Sequence, residues 1–168
     1  LEYFLEPEVA DVPIDLYGLV EGEDKVEMLR QLLSGVGRVS YRGYVDAKTL
    51  QNIRRSYAYS IVMWAPTNEH QLYAAPNKFF DAIADGVPPL TAPHPQCKML
   101  VNRYQCGIVL RDWTFDSFRE GAAKALKLVG TPVYAQMVEN CRRAVLTELN
   151  WEAQFRKIQK CLPERLAA

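Results

Sequence analysis

PNKFFDAIADGVPPLTAP, residues 76–93, decides how this chain is read. The stretch predicts a short helix, a glycine stop and a buried strand. Pro76 suits the first helical position, where its missing N–H costs nothing. Gly86 supplies a left-handed stop, and Pro88 blocks continuation. At about 100° per residue, Asn77, Lys78 and Asp81 cluster on one side of the first turns. Phe79 and Ile83 fall on the opposite side, with Phe80 and Ala84 beside them. A helix start offers free N–H groups and the positive end of the helix dipole, a ready anion site. Lys78 adds a full charge there, and Asp81, one turn further in, can accept hydrogen bonds from sugar hydroxyls. That combination suits a nucleotide diphosphate.

Outward from this stretch, strands and helices alternate. Strands are expected near residues 12–18 (VPIDLYG), 38–43, 60–65 (SIVMWA), 87–92 and 107–111. These runs are almost continuously apolar or β-branched, as in a sheet covered by helices on both faces. The alternation predicts an α/β fold: a Rossmann-like, doubly wound parallel sheet of about five or more strands, with C-terminal helices. Asp46 is placed to cap a helix over 47–58, with Val45 and Leu50 as a hydrophobic staple. Ser117 and Glu120 have capping-box spacing before a face of Phe118, Ala122, Ala125, Leu126 and Val129. Tyr134, Met137, Val138, Cys141, Val145 and Leu149 form another helical stripe, read as core. No repeat or low-complexity linker divides residues 1–168, so one domain is expected.

The motifs, taken in order, resemble the nucleotide-sugar-binding C-terminal lobe of glycosyltransferases with two Rossmann-like lobes, the GT-B fold. AIADGVPPLTAP is similar to that family's "A-x-G-x-P" turn and strand, and Asp81 stands where the family usually has Glu. VSYRGYV (39–45) resembles its "V-x-F-x-G-x-V" strand, CGIVL (106–110) its "G-x-x-V" strand, and NWE (150–152) its "W-E". The resemblance covers roughly residues 12–160. It implies that Asn77 and Lys78 face the donor diphosphate, that Asp81 holds the donor ribose, and that Gly43 and Tyr44 border the donor base. It implies no metal and no cofactor beyond the nucleotide-sugar substrate. It further implies a glycan or lipid-linked acceptor brought by another lobe, in a cytoplasmic protein.

Two departures stand out. Many retaining members carry a second Glu eight residues before the ribose-binding one, where this chain has Tyr73, although Glu69 lies in the same loop. The family lobe also normally opens with a strand and a Gly-rich turn, whereas LEYFLEPEVADVP reads as the tail of the following helix. A fragment of a larger two-lobed enzyme is therefore expected, inactive by itself. A sugar-nucleotide epimerase of the same fold is an alternative, as is a non-catalytic α/β ligand-binding or receiver-type domain. Against the receiver, Asp15 followed by Leu-Tyr-Gly lacks the paired acids such a domain carries after its first strand.

Composition limits the other classes. The chain has 168 residues, is 49% hydrophobic, and balances 20 basic against 20 acidic residues. One sizeable core fits that length, and the zero net charge argues against a nucleic-acid binder. No apolar run reaches the ~18 residues of a membrane span. Basic residues gather late, at Arg142, Arg143, Arg156, Lys157, Lys160 and Arg165. That face is either solvated or rests on an anionic membrane surface. Cys97, Cys106, Cys141 and Cys161 show no C-x-x-C pairing and no zinc-like spacing to histidine, so reduced, mostly core thiols are expected. No P-loop and no G-x-G-x-x-G after a strand occurs. Of the two histidines, His70 is the weaker candidate; His94 follows the 87–92 strand and can face the cleft as a donor contact, a solvated loop histidine being the alternative. Neither has a nucleophile and carboxylate at hand for a hydrolytic triad.

Overall fold

The computed structural model describes residues 2–9 and 12–161; Arg165 of the basic stretch lies outside them. A 3-10 turn at Glu2–Phe4 precedes β1 (Ile14–Tyr17), α1 (Glu23–Ser34), β2 (Val39–Gly43), α2 (Ala47–Arg54) and β3 (Ser60–Val62). There follow α3 (Glu69–Leu72), α4 (Asn77–Ala84), β4 (Pro89–Thr91), α5 (Pro95–Tyr104), β5 (Ile108–Val109), α6 (Phe115–Leu128), α7 (Pro132–Thr147) and α8 (Trp151–Gln159). All five expected strands form, and every pairing is parallel. They make two hydrogen-bonded groups: β1 pairs with β2, and β4 lies between β3 and β5.

One apolar cluster runs across both groups on a single face. It joins Ile14 and Val39 to Leu90 and Ile108 beneath Phe118 and Ala122 of α6, with Ile61 and Met63 packed alongside. Phe4 meets Phe118 edge-on with centroids 5.1 Å apart, which ties the N-terminal turn to this face. The opposite face carries Val62, Phe79, Ile83, Cys97, Leu100 and Cys141, from β3 and from α4, α5 and α7. No described residue of β1 or β2 belongs to that second cluster. Helices therefore cover both faces of the β3–β5 group, as expected. The second face of β1–β2 differs: it presents Asp15, Ser40 and Arg42 around an open hollow of 480 Å³.

Local chemistry explains most element ends. Asp46 caps α2 by accepting from the Thr49 N–H at 2.9 Å. Gly86, at φ +73°, supplies the left-handed residue after α4, and its N–H reaches the Ile83 carbonyl at 3.0 Å. Pro76 is the N-cap of α4 rather than its first residue. The cap of α6 is Thr114, not Ser117. Ser117 is buried, and its Oγ accepts instead from the N–H groups of Arg111 at 2.9 Å and Asp112 at 3.2 Å, holding the loop after β5. Leu126 and Val129 do not complete the buried face of α6; they are 47% and 45% exposed, while Phe118, Ala122 and Ala125 are buried. Of the α7 stripe, Cys141 is fully enclosed and Met137, Val145 and Leu149 pack partly buried against the two clusters, while Tyr134 and Val138 are only half-buried; Ala144, not part of the stripe, is fully enclosed too.

Two glycines admit close neighbours, a backbone at Gly107 and a side chain at Gly121. A Cβ on Gly107 would lie 2.4 Å from the Pro89 carbonyl oxygen, and one on Gly121 would lie 2.2 Å from Leu110 Cδ2. Cys97, Cys106 and Cys141 are free and buried, whereas Cys161 is free and exposed.

Candidate functional site at the C-terminal edge of the sheet

Because pairing within each group is parallel, β3, β4 and β5 end at one edge of their group and β1 and β2 at one edge of theirs, and open α/β sheets hold their ligands at such strand ends. Gly18 follows β1, Gly43 ends β2, Trp64 follows β3, His94 follows β4 and Trp113 follows β5. The chain leaves β3 at this edge, and the capped turn of α3 returns it there, so α4 begins beside the strand ends. The N-cap of α3 is Asn68, which accepts from the Gln71 N–H at 2.9 Å.

Helix α4 divides as its sequence predicts. Phe79 and Ile83 are wholly buried, while Asn77, Lys78 and Asp81 are exposed. The Lys78 ammonium lies over the Trp64 ring, 5.5 Å from its centroid, and partial desolvation there lowers its pKa. Asp81 keeps 55% of its side chain exposed and sits 3.6 Å from the Arg54 guanidinium. Arg54 is itself fixed at 2.5 Å to Asp85, whose side chain is only 1% exposed and also receives Arg55 and Gln51. This buried carboxylate clamps α2 to the end of α4 and was not singled out from the sequence. A free Asp81 carboxylate edge and a neighbouring cation are thus both present one turn into the helix.

His94 is not a solvated loop residue. It is fully buried as the N-cap of α5, stacked on Trp64 with ring centroids 3.9 Å apart and meeting Trp113 edge-on at 5.9 Å. Its Nδ1 is 3.3 Å from the Leu72 carbonyl, which can only accept, so Nδ1 carries the proton and Nε2 the lone pair. Burial lowers the His94 pKa, and the charge of Lys78 acts in the same direction, so the ring is neutral at pH 7. Both His94 Nε2, an acceptor, and Trp113 Nε1–H, a donor, are buried without a partner among the described residues. Such pairs are uncommon in native interiors and mark places where a water or ligand group is held. The two tryptophans were missed; the legible signal was a Trp close after each of two apolar runs, SIVMW and GIVLRDW.

Gly43 and Tyr44 lie at the end of β2, on the other hydrogen-bonded group. Gly43 adopts φ +78° and its carbonyl accepts from the Gly18 N–H at 3.0 Å, while Tyr44 is 68% exposed. Among the described residues, no hydrogen bond, ion pair or ring contact joins either to Lys78 or His94. Tyr73, where a second Glu would stand, is exposed, and His70 lies in α3. No cluster of described residues has the composition of a metal site. Another open hollow, 820 Å³ among Arg103, Glu148, Arg156, Lys157 and Lys160, is lined by none of these groups and is a charged surface between α5 and α8.

No protein-family model matches the chain, and no curated protein does. Solved structures do match. WaaG, a glycosyltransferase involved in lipopolysaccharide biosynthesis, superposes with a TM-score of 0.65 at 15% identity, over 95% of this chain and 41% of its own. A glycosyltransferase from Rickettsia africae gives 0.68 at 12% identity, over 95% and 53% respectively. HepE of Anabaena, solved in complex with UDP, gives 0.61 at 15% identity, over 90% and 41%. The chain has the Rossmann-like fold found within these structures, and it spans 41–53% of their length.

Proposed function

We propose that this chain is the donor-binding lobe of a nucleotide-sugar-dependent glycosyltransferase. The observation that carries the reading is the start of α4, with Lys78 beside it over Trp64, at the strand-end edge of the β3–β5 group. In transfer, the bond from the sugar's anomeric carbon to the diphosphate oxygen breaks while a bond to an acceptor hydroxyl oxygen forms. The leaving diphosphate gains negative charge, which the N–H groups of α4 and the Lys78 ammonium stabilise. Asn77 donates to the same phosphates, Asp81 accepts from the ribose hydroxyls, and Gly43 and Tyr44 border the base. His94 Nε2 accepts from a donor hydroxyl, which removes its orphan state. The acceptor, a glycan or a lipid-linked glycan, and the base that takes its proton come from outside these residues.

A structural neighbour solved with UDP makes UDP the first probe to try. No described helix is long and apolar enough to cross a membrane. Peripheral membrane contact is supported by α8, where exposed Trp151 and Phe155 stack at 5.6 Å beside Arg156, Lys157 and Lys160.

Calorimetric titration of the parent protein with UDP, GDP, uridine and phosphate tests the reading. Lys78→Ala is expected to weaken UDP or GDP binding by about 1–3 kcal/mol, roughly fivefold to 150-fold, and to leave uridine unchanged. Asp81→Ala is expected to weaken nucleoside and nucleotide alike. Equal losses of uridine and UDP in the Lys78 variant would remove the phosphate assignment; wild-type binding in both variants would remove the site.

A further inference from the structure

Asp85, the C-cap of α4, holds a carboxylate almost wholly out of water, and a charge so placed persists in a fold only when closely paired. Three side chains at the end of α2 supply the pairing, and they divide between its two oxygens. Gln51 Nε2 at 3.0 Å and Arg55 Nη2 at 3.2 Å take Oδ1, while Arg54 Nη1 takes Oδ2 at 2.5 Å. Arg54 is largely buried and Arg55 mostly exposed, so Arg54 is the arm fixed by packing as well as by charge. Its second amino group, Nη2, lies 3.6 Å from Asp81 Oδ2, one turn nearer the start of α4. That separation exceeds hydrogen-bonding range but is well inside the reach of charge attraction. Asp81 is thus drawn to one side without spending its lone pairs. Among the described residues, no N–H or O–H donates to its carboxylate.

We propose that Arg54 is a positioning residue for a ribose subsite at Asp81: anchored on Asp85, its guanidinium holds the Asp81 carboxylate in one orientation, with both oxygens free to accept from vicinal hydroxyls. The proposal rests on the donor reading above and adds to it the group that prepares Asp81. Two neighbouring hydroxyls call for two acceptor sites at once, which a carboxylate offers when its rotation is already arrested. An exposed aspartate on a helix otherwise moves among rotamers, and the ligand would bear the cost of fixing it. Arginine suits the task because its planar fork serves two carboxylates from two amino groups, Nη1 toward Asp85 and Nη2 toward Asp81. The same arm ties two parts of the proposed site together. Helix α2 begins just after Tyr44 and ends in Arg54, so one eight-residue helix joins the strand end that borders the base to the carboxylate that meets the ribose.

Calorimetric titration of the parent protein with uridine and with its 2′,3′-dideoxy form tests it, guanosine and dideoxyguanosine being a second probe pair. In the wild type, the nucleoside is expected to bind more tightly than its dideoxy form, and Asp81→Ala to abolish that gap. Arg54→Ala should weaken the nucleoside by about threefold to tenfold and leave the dideoxy form unchanged. Combined with Asp81→Ala, it should add no further loss. Arg55→Ala takes a cation from Asp85 and none from Asp81, so it should keep the wild-type gap. Where Arg54→Ala fails to fold because Asp85 loses its closest partner, Arg54→Ala with Asp85→Asn removes the buried charge and carries the same expectation. A wild-type gap in the folded Arg54 variant, equal losses of both ligands, a further loss in the combination with Asp81→Ala, or a gap narrowed as much by Arg55→Ala would overturn the positioning role and leave the ribose assignment of Asp81 standing. No gap in the wild type, or one that survives Asp81→Ala, would overturn both together.

Discussion

The β3–β5 group and the β1–β2 group share parallel pairing but live in different surroundings. Every residue of β4 is buried, whereas in β1 only Ile14 is. The first group is packed on both faces, by α4, α5 and α7 on one side and α6 on the other; the second has one apolar face and one lined by Asp15, Ser40 and Arg42. Backbone pairing alone is worth little net stability, because water competes for the same hydrogen bonds. What separates the groups is apolar burial. Resistance to unfolding should therefore be concentrated in residues 60–145, with the 14–43 segment opening first.

The most severe way to break this contrast is to empty a core position in each half. Phe79→Ala, at a wholly buried site, is expected to lower stability by about 3–5 kcal/mol, and Leu16→Ala, at a half-buried site in β1, by less than half of that. Urea melts of both variants check it, and equal losses would dissolve the distinction. A smaller effect should come from adding one methyl group. Gly107→Ala drives a Cβ to 2.4 Å from the Pro89 carbonyl and should cost about 1–3 kcal/mol, while Gly37→Ala enters open space and should stay within about 0.5 kcal/mol. The same melts read both, and a tolerated Gly107→Ala would mean that β4 and β5 are looser than their burial implies.

The mildest probe is acid. Glu148, held by Lys157 and also bonded by Tyr104, has its pKa lowered to about 2 from an ordinary 4.5. Its contribution is complete above pH ~4.5 and disappears as the pH falls through about 2, since a protonated carboxyl loses its cations. Asp15 is likewise lowered, chiefly by the Tyr57 hydroxyl, so its contribution also fades on acidification. Tyr57→Phe should raise the Asp15 pKa and leave that of Glu148 unchanged, as read by carboxyl NMR titration. An Asp15 pKa that does not move would deny that Tyr57 couples the two groups. Both carboxylates are solvent-accessible enough that small effects on global stability are expected.

Much of this arrangement is legible in the sequence because it is local. Five apolar runs give five strands, the Asp46 cap forms, and the spacing of Phe79 and Ile83 separates the buried from the open side of α4. Three kinds of feature are not legible. Thr114 and Ser117 are both good caps by type, and the choice between them is made by a loop that needs the Ser117 hydroxyl. Strand neighbours are set by chain crossovers, which periodicity does not encode, so one sheet and two groups read alike. The burial of His94 depends on Trp64 and Trp113, 30 and 19 residues away in sequence, meeting at one edge. The site residues named from α4 fall where expected relative to the core, while their ligand roles rest on binding measurements.

The distribution of thiols has a consequence of its own. Three cysteines sit in or beside the β3–β5 group and one sits on the surface after α8. A maleimide dye added to the native protein would meet a single reactive sulfur, Cys161, giving a uniform label near the basic end. The remaining three act as a clock, because each reacts only when its surroundings open. Burial pushes the Cys97 thiol up as well, which slows its reaction further at neutral pH. The order in which Cys97, Cys106 and Cys141 gain mass would time the opening of the well-packed half without any mutation.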